Sequence, residues 1–306
     1  MKNTPENKTA EKNRKSGSLR KRLYLVGFLF GLSVLFYPTI SNSWNTYRQK
    51  QITNDYTSGV AKKEESGSID YDAEWAKAEN YNASLMPIQL PDSFSDAQNR
   101  GTEDERYLNC LNTNGNGMMG TVEIPCINIT LPIMHTTEDS VLQNAAGHLE
   151  GSSLPIGGTG THCVIAAHRG LPSAALFTDL DKVQIGDHFY LHVLNETLAY
   201  EVEAVDVVSP SDTSLLNVRD GEDLCTLLTC TPYGVNTQRL LVTGHRVAYS
   251  GNVKNAEQIN PVLGVSPHTS YFLWSLGGLL VTLLFIVFLK HHRKKKYVRI
   301  RRRKRR

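Results

Sequence analysis

The sequence lacks the motifs that most directly indicate nucleotide binding, repeat architecture or a metal centre. It has no glycine-rich phosphate-binding loop, no internal repeat, and no histidine spacing typical of metal ligands. These absences argue against a P-loop or dinucleotide-binding domain, a solenoid or propeller, and a zinc or iron protein. We therefore expect no cofactor and no metal.

Cysteine is scarce, with five in 306 residues. An exported domain could form disulfides, but an odd count leaves at least one thiol unpaired. Cys225 and Cys230 lie an odd number of positions apart in one apolar run, so in a regular strand they face opposite sides and are poor partners. The others are Cys110, Cys126 and Cys163. At least one free thiol is expected.

Formal charge is absent from two apolar stretches, residues 23–40 and 271–289. Each is just long enough to cross about 30 Å of hydrocarbon as a helix. The first could instead be a signal peptide, because Lys21 and Arg22 supply a basic flank. Its length, and the lack of a small-residue cleavage triplet after it, favour an uncleaved anchor. Two transmembrane helices are therefore predicted.

The charges are strongly segregated along the chain. Of the 33 Lys and Arg residues, eight lie in residues 1–22 and twelve in 290–306, which leaves 13 in between against 28 acidic residues, a net charge of −15. Basic flanks stay on the cytoplasmic side of a membrane, so we predict cytoplasmic termini and an extracellular middle at the cell membrane. The tail Arg301–Arg306 could bind nucleic acid, but directly after a span we expect it to bind anionic membrane lipid instead.

The predicted outer part changes character along its length. Residues 41 to about 70 are polar and are typical of a stalk, and Asp72–Leu85 has the composition of a helix. From Met118 to Tyr249 short β-type runs alternate with turn residues, which predicts a single closed or nearly closed barrel with brief helices such as Ser173–Leu180. The runs are Thr121–Ile124, Ile127–Met134, His162–Ala167, Phe189–Leu194, Leu198–Val208, Leu224–Thr229 and Arg239–Val247.

Cys230 ends one of these runs, and Thr231-Pro232-Tyr233-Gly234 breaks the strand directly after it. A cysteine beside a buried strand is often an inert core residue, as we expect for Cys163 and Cys225. A thiol at a strand end is instead placed to act as a nucleophile in acyl transfer. Cys110 and Cys126 neighbour turns and stay open as candidates.

Two histidines could serve such a thiol as proton carriers. Ala167-His168-Arg169-Gly170 and Gly244-His245-Arg246-Val247 each follow an apolar run, and either imidazole titrates near neutral pH. His168 is mildly favoured because Gly170 and Pro172 end its strand, whereas β-type sequence continues after His245. The residues alone do not decide between the two.

Arg239 begins the run that follows Cys230. An arginine at this position is most often a solvated surface charge. Its fixed donors could also stabilise the oxyanion that forms when a thiolate attacks an amide carbonyl. If the two strands pair, Cys230 and Arg239 lie side by side at one rim of the barrel.

These residues carry a family resemblance. Thr226-Leu227-Leu228-Thr229-Cys230 followed by Arg239 resembles the sortase active-site signature, and Ala167-His168-Arg169-Gly170 resembles its histidine segment. The sequence from Met118 to Tyr249 and the second predicted span are most similar to class C sortases, which assemble pili. Further matching segments are Glu123-Ile124-Pro125, Leu131-Pro132-Ile133, Gly147–Pro155 and Leu240–Arg246.

The resemblance implies a mainly β protein with a closed eight-stranded sortase-type barrel. It implies that Cys230 is the nucleophile, His168 the general acid and base, and Arg239 the oxyanion-binding group, with His245 structural. The implied partners are pilins or surface proteins with LPxTG-like sorting signals, cleaved between Thr and Gly through a thioester and joined to a pilin lysine. A wall-anchoring sortase that uses a peptidoglycan-precursor amine, a membrane-tethered cysteine peptidase, and a scaffold with an inert thiol are the alternatives.

Class C sortases also carry a lid before the barrel, in which an Asp-Pro-aromatic motif covers the active site. Asp92-Ser93-Phe94 occupies a suitable place in this chain. By resemblance, Asp92 pairs with Arg239 and Phe94 covers Cys230, although Asp92 could simply cap a short helix. Ser93 replaces the usual proline, so the segment loses a fixed φ.

The predicted organisation follows in chain order: a cytoplasmic basic tail at 1–22, a transmembrane helix at 23–40, an extracellular stalk, helix and lid segment at 41–110, a catalytic barrel at 111–250, a linker at 251–270, a transmembrane helix at 271–289 and a polybasic tail at 290–306.

Overall fold

The computed structural model describes residues 5–85, 90–94, 104–249 and 277–278, with side chains from residue 26 onward. The chain divides into two compact units, Met1–Ile40 with Gly264–Arg306, and Ser41–Leu263. The second predicted span, apart from Gly277 and Gly278, and the polybasic tail lie outside the described residues.

Apart from Gly277 and Gly278, the described part of the first unit belongs to one long helix, α1, which runs from Pro5 to Glu65 and contains Pro38. From Val26 onward this helix is long and apolar enough to cross a membrane, judged by length and composition alone. Its large side chains, such as Phe30 and Ile40, are exposed. The helix expected at residues 23–40 is therefore present, and the two-span topology stays a prediction.

The second unit begins inside α1, so residues 41–65 of the predicted polar stalk are helical. Lys, Gln, Glu and Ala are strong helix formers, so a polar composition does not require an irregular chain. Ile52, Tyr56 and Val60 recur at helical spacing and pack against Met118 of the barrel. The Tyr56 hydroxyl donates to the Met119 carbonyl at 3.0 Å and accepts from the Leu194 amide at 3.1 Å.

Helix α2 spans Tyr71–Ser84 and confirms the helix predicted at Asp72–Leu85. Asp70 caps it, because its side chain accepts from the Ala73 amide at 3.0 Å. Ala78 and Tyr81 face the barrel core. Two shorter α-helices are α3, Glu105–Asn109, and α4, Asp139–Leu142. Short 3₁₀ turns lie at Pro125–Ile127, Leu180–Lys182 and Ser214–Leu216.

Eight strands close into a barrel in the order β1-β2-β3-β4-β7-β8-β6-β5, as the resemblance implied. Seven of them lie at the seven predicted runs. The unpredicted strand, β3, has only three residues and therefore shows no periodicity. The strands are β1 Met118–Ile124, β2 Ile129–His135, β3 Ala146–His148, β4 Thr161–Ala166, β5 His188–Val193, β6 Glu196–Val208, β7 Asp223–Thr231 and β8 Gln238–Val247.

The short helix predicted at Ser173–Leu180 is wrong. Residues 173–180 belong to the β4–β5 loop, which spans residues 167–187. They form turns that end in the 3₁₀ turn at Leu180. Leu176 has φ +41°, outside the right-handed helical region, and a residue in that conformation interrupts an α-helix. The apolar spacing reflects burial of Ala174, Leu176 and Phe177 rather than a helical face.

Strands β4, β7 and β8 are buried on both faces. Ile165, Leu227 and Val242 belong to the large core inside the barrel. Alternate residues of the same strands, Val164, Ala166, Leu228 and Leu241, belong to a second cluster on the outer face, with Leu90, Leu142, Leu149 and Leu216. Burial on both faces explains why these strands read as continuous apolar runs. The second cluster is called the outer-face cluster below.

The docking of α1 on the barrel makes a testable prediction. Tyr56→Phe removes one hydroxyl that satisfies two buried backbone groups, so we expect it to lower the free energy of unfolding by about 1–3 kcal/mol. Urea denaturation of the full chain in detergent measures this. Tyr47→Phe, at an exposed site on the same helix, is the control. Equal midpoints for the two variants would contradict the docked helix.

Candidate active site

Three strand ends bring the predicted chemical groups to one rim of the barrel. Cys230 is the penultimate residue of β7, and its direct partner on β8 is Arg239. On the other side β7 runs parallel to β4, with Leu228 opposite Ala166. His168 lies two positions beyond Ala166, as Cys230 lies two beyond Leu228. The prediction that Cys230 and Arg239 lie side by side is confirmed, and His168 follows the neighbouring strand.

Hydrogen bonds hold these strand ends together. The Ala167 amide donates to the Leu228 carbonyl at 3.1 Å, and the Thr229 hydroxyl donates to the Ala167 carbonyl at 2.7 Å. Thr229 is fully buried. The backbone directly before His168 is thereby fixed to the backbone directly before Cys230.

The side chains of Cys230 and Arg239 lie on the outer face of the barrel rather than in its interior. Side chains alternate along a strand, so Cys230 lies on the face of Leu228, and Arg239 on the face of Leu241. Both leucines belong to the outer-face cluster. Cys230 is nevertheless only 6% exposed, and Arg239 only 8%. Other residues on that face therefore cover both side chains.

The cover is the lid segment, of which residues 90–94 are described. Asp92 forms a bidentate ion pair with Arg239. The Arg239 Nε donates to Oδ1 of Asp92 and the Arg239 Nη2 donates to Oδ2, each at 2.7 Å. The Phe94 ring lies 5.2 Å from the Arg239 guanidinium carbon and 5.3 Å from the His168 ring, measured between centres. Leu90 packs into the outer-face cluster. The lid segment therefore contacts both the imidazole and the guanidinium.

Ser93, between these two lid residues, is 1% exposed. Among the described residues its hydroxyl finds no hydrogen-bond partner. A buried hydroxyl without a partner costs free energy, typically about 1–3 kcal/mol. The closed lid of this chain therefore carries a penalty that a proline in the same place would not.

The electrostatics of the covered site favour neutral reacting groups. Burial raises the pKa of the Cys230 thiol, which the Arg239 charge opposes and the Asp92 carboxylate reinforces. Burial also lowers the pKa of His168, against a smaller effect of Asp139. With the lid closed the site therefore holds a thiol and a neutral imidazole. Asp92 occupies two of the Arg239 donors and offsets its charge.

The structure separates the two candidate histidines. His245 lies six residues beyond Arg239 on the same strand, so the two are about 20 Å apart. It is opposite Leu224, at the other end of β7 from Cys230, and its Nδ1 lies 3.3 Å from a Glu203 carboxylate oxygen. The choice that the residues left open thus depends on strand direction. Of the two, only His168 lies at the rim with Cys230.

Arg169 is a residue of this region to which the sequence assigned no role. Its Nη1 donates to the Thr231 hydroxyl at 3.1 Å, and its Nη2 forms an ion pair with Asp181. The guanidinium carbon lies 6.0 Å from the centre of the Tyr233 ring. Arg169 directly follows His168 in the chain, and it binds Thr231, which directly follows Cys230. It therefore links the two chain segments that carry His168 and Cys230. Its position beside His168 was visible in the sequence, but its partners come from distant positions.

The remaining cysteines lie elsewhere, and all five thiols are free, as the odd count required for at least one. Cys163 and Cys225 are partners across β4 and β7 inside the barrel, as expected for core residues, and burial raises the pKa of Cys225 well above its usual range. Cys110 is buried and Cys126 is exposed. Within the described residues no group of three or more His, Cys, Asp or Glu side chains is placed to hold a metal ion.

Comparisons with known proteins identify the family to which the chain is similar. A model of the sortase domain matches residues 122–247. The crystal structure of sortase C-1 from Actinomyces oris is 42% identical over 58% of this chain and 98% of its own, with a TM-score of 0.56. A pilus-related sortase C of Group B Streptococcus is 40% identical over 65% and 98%, with a TM-score of 0.58. Sortase A of Bacillus anthracis is 27% identical over 58% of this chain and 83% of its own.

The lid contact predicts the reactivity of the thiol. Asp92→Ala uncovers Cys230 and leaves the Arg239 charge free to stabilise a thiolate, so we expect alkylation at pH 7 to become about tenfold faster. Intact-protein mass spectrometry with a small iodoacetamide reagent, followed by peptide mapping, measures the rate at Cys230. Asp220→Ala, which removes an exposed acid near the other end of β7, is the control. An unchanged rate would reject the lid contact.

The Arg169–Asp181 pair predicts an asymmetry in stability. The Arg169 side chain is 7% exposed and that of Asp181 46%, so removing the acid strands a buried charge, whereas removing the arginine leaves a carboxylate that water can reach. We expect Asp181→Asn to lower the free energy of unfolding by about 3 kcal/mol, and Arg169→Met by about 1 kcal/mol. Urea titrations of the two variants decide this. The reverse order would show that the pair is not buried as described.

Proposed function

Because the chain belongs to the sortase family of cysteine transpeptidases and to its class C branch, we propose that it polymerises pili. It would cleave an LPxTG-like sorting signal between Thr and Gly and join the threonine carbonyl to a lysine amine of a pilin subunit. The observation that carries the proposal is the placement of His168, Cys230 and Arg239 at the ends of three adjacent strands. The pilus-related sortase C among the relatives supports the choice of substrate.

The first step uses a thiol and a neutral imidazole. His168 accepts the Cys230 proton as the sulfur attacks the threonine carbonyl carbon, and a carbon–sulfur bond forms. The carbonyl oxygen becomes an oxyanion, which the Arg239 donors stabilise. His168 then gives its proton to the glycine nitrogen as the carbon–nitrogen bond breaks. The products are a thioester on Cys230 and a free glycine amine.

The second step reverses the roles with a new amine. A pilin lysine amine attacks the thioester carbonyl, His168 takes the surplus proton, and the sulfur leaves and regains it. An isopeptide bond forms and the enzyme returns to its starting state. The thioester conserves the free energy of the cleaved peptide bond, so the exchange needs no nucleotide.

Asp92 gives this cycle a gate. The Nε and Nη2 donors of Arg239 that would face an oxyanion are both bound to the Asp92 carboxylate. Phe94 lies against the His168 ring. A sorting signal therefore has to displace the lid segment before Arg239 and His168 can act. Lid opening would precede thioester formation.

We also assign the enzyme to the cell membrane. The apolar helix at residues 23–40 supports an anchor, and the segregated charges support cytoplasmic termini with an extracellular barrel. A span at residues 271–289 would complete a two-span topology.

Adduct formation with a sorting-signal peptide tests the proposal. The wild type is expected to gain the mass of the acyl fragment, and Cys230→Ala to gain none. His168→Ala is expected to lower turnover about 10²–10⁴-fold, whereas His245→Ala, the matched control at the other end of β8, keeps it. An adduct that persists in Cys230→Ala would refute the assignment.

Purified pilin distinguishes a polymerase from the related alternatives. A ladder of covalent pilin oligomers, lost when the acceptor lysine is acetylated, is the expected product. Transfer only to a small peptidoglycan-like amine would indicate a wall-anchoring sortase. Hydrolysis that amines do not alter would indicate a peptidase.

A further inference from the structure

One face of α1, just beyond Ile40, is bound to the loop that carries His168. The Asn42 side chain accepts from the Ala175 amide at 2.8 Å, and the Asn45 amide donates to the Ser173 carbonyl at 2.7 Å. Gln49 donates to the Asn144 carbonyl at 2.8 Å. These positions are three and four residues apart, so they lie on one face of the helix. The hydrogen bonds of Asn42 and Asn45 attach the β4–β5 loop to α1.

A different face of the same two turns is exposed. Trp44 and Tyr47 are 60% and 55% exposed, and their ring centres lie 6.2 Å apart. Gln51, one turn further on, donates to the Tyr47 hydroxyl at 2.9 Å. Arg48 is also exposed and shares this face. We call Trp44, Tyr47 and Arg48 the aromatic–basic stripe.

The position of the stripe along the chain indicates what covers it. Trp44 is four residues after Ile40, where the apolar stretch ends. Four residues reach at most about 14 Å when fully extended and about 6 Å in a helix. The polar layer on each side of a bilayer is about 5–8 Å thick. Trp and Tyr are enriched in this layer, and an arginine there attracts anionic headgroups.

We propose that the aromatic–basic stripe lies in the headgroup layer of the membrane and holds the β4–β5 loop at the lipid surface. This rests on the membrane anchor in the proposed function. The loop bound to Asn42 and Asn45 begins next to His168, only five positions before Ser173. The catalytic rim then works close to the bilayer. Substrates presented at the same surface are favoured over substrates free in solution.

A protein partner fits the stripe less well. A stable protein interface buries about 800 Å² on each partner, whereas the stripe comprises two aromatic rings and one cation on a single helix. A lipid surface needs no matching shape and uses all three groups. The chemistry therefore favours lipid over a second copy of the chain.

Depth-dependent quenching tests the contact directly. The chain has three tryptophans, so Trp75→Phe/Trp274→Phe leaves Trp44 as the single reporter. The full chain is reconstituted in phosphatidylglycerol-containing vesicles with nitroxide lipids labelled at the headgroup or at mid-chain. We expect the headgroup label to quench Trp44 at least twofold more strongly than the mid-chain label. Absence of quenching by both labels would overturn the proposal.

Turnover on two substrates tests the consequence. With a sorting-signal peptide tethered to vesicle lipid, Trp44→Ala/Tyr47→Ala is expected to lose several-fold in rate, while turnover of the free peptide is unchanged. Tyr249→Ala, which removes a comparably exposed aromatic residue beyond the end of β8, is expected to alter neither. Equal losses on both substrates, or none on either, would overturn the inference.

Two further results distinguish this inference from the proposed function and from a dimer interface. If the wild type turns over neither peptide, the proposed function fails, while the quenching experiment still reports whether the stripe meets lipid. If the stripe variants abolish a concentration-dependent dimer in detergent and Trp44 is not quenched in vesicles, the face is an interface between copies and the lipid assignment is wrong.

Discussion

Strand β7 pairs with β4 on one side and with β8 on the other, and the geometry of the proposed catalytic site depends on the register of these two pairings. The parallel pairing carries His168 to the level of Cys230, and the antiparallel pairing sets Arg239 directly opposite the thiol. A slip of one residue on either side would turn a reacting group toward the barrel interior. Apolar residues on both faces of β4, β7 and β8 hold the register, because any slip would also misplace core side chains. The geometry of the proposed catalytic site is thus a consequence of packing.

The lid segment adds a second level of control on the same face. Its ion pair with Arg239 and its ring contact with His168 involve the two groups that we propose assist the thiol. Burial meanwhile raises the pKa of the thiol and lowers that of the imidazole, so both groups are neutral in the covered site and the thiol is unreactive. Ser93 weakens this arrangement, because its buried hydroxyl finds no partner in the described part of the chain. The balance between a bidentate ion pair and a buried hydroxyl without a partner is suited to a cover that has to open.

Helix α1 links the barrel to the apolar stretch before it. Polar side chains on one face bind the β4–β5 loop, and further along Tyr56 satisfies two backbone groups of the barrel. A segment whose composition is typical of a stalk is therefore a helix docked on the barrel. Polar residues at helical spacing can dock a helix through hydrogen bonds, which an apolar-periodicity search does not detect.

Much of this protein was determined by its sequence. Seven of the eight strands, helix α2 and the candidate residues Cys230, Arg239, His168, Asp92 and Phe94 are visible as local patterns or motif matches, because burial and strand ends leave periodic and compositional signals. Other features were decided only by the tertiary structure. The separation of His168 from His245 depends on strand direction, the link from Arg169 to Asp181 and Thr231 on a loop that returns to the rim, and the docking of residues 42–60 on barrel surfaces distant in sequence. Each joins residues far apart in the chain, and a linear sequence does not record which distant surfaces meet until the barrel has closed.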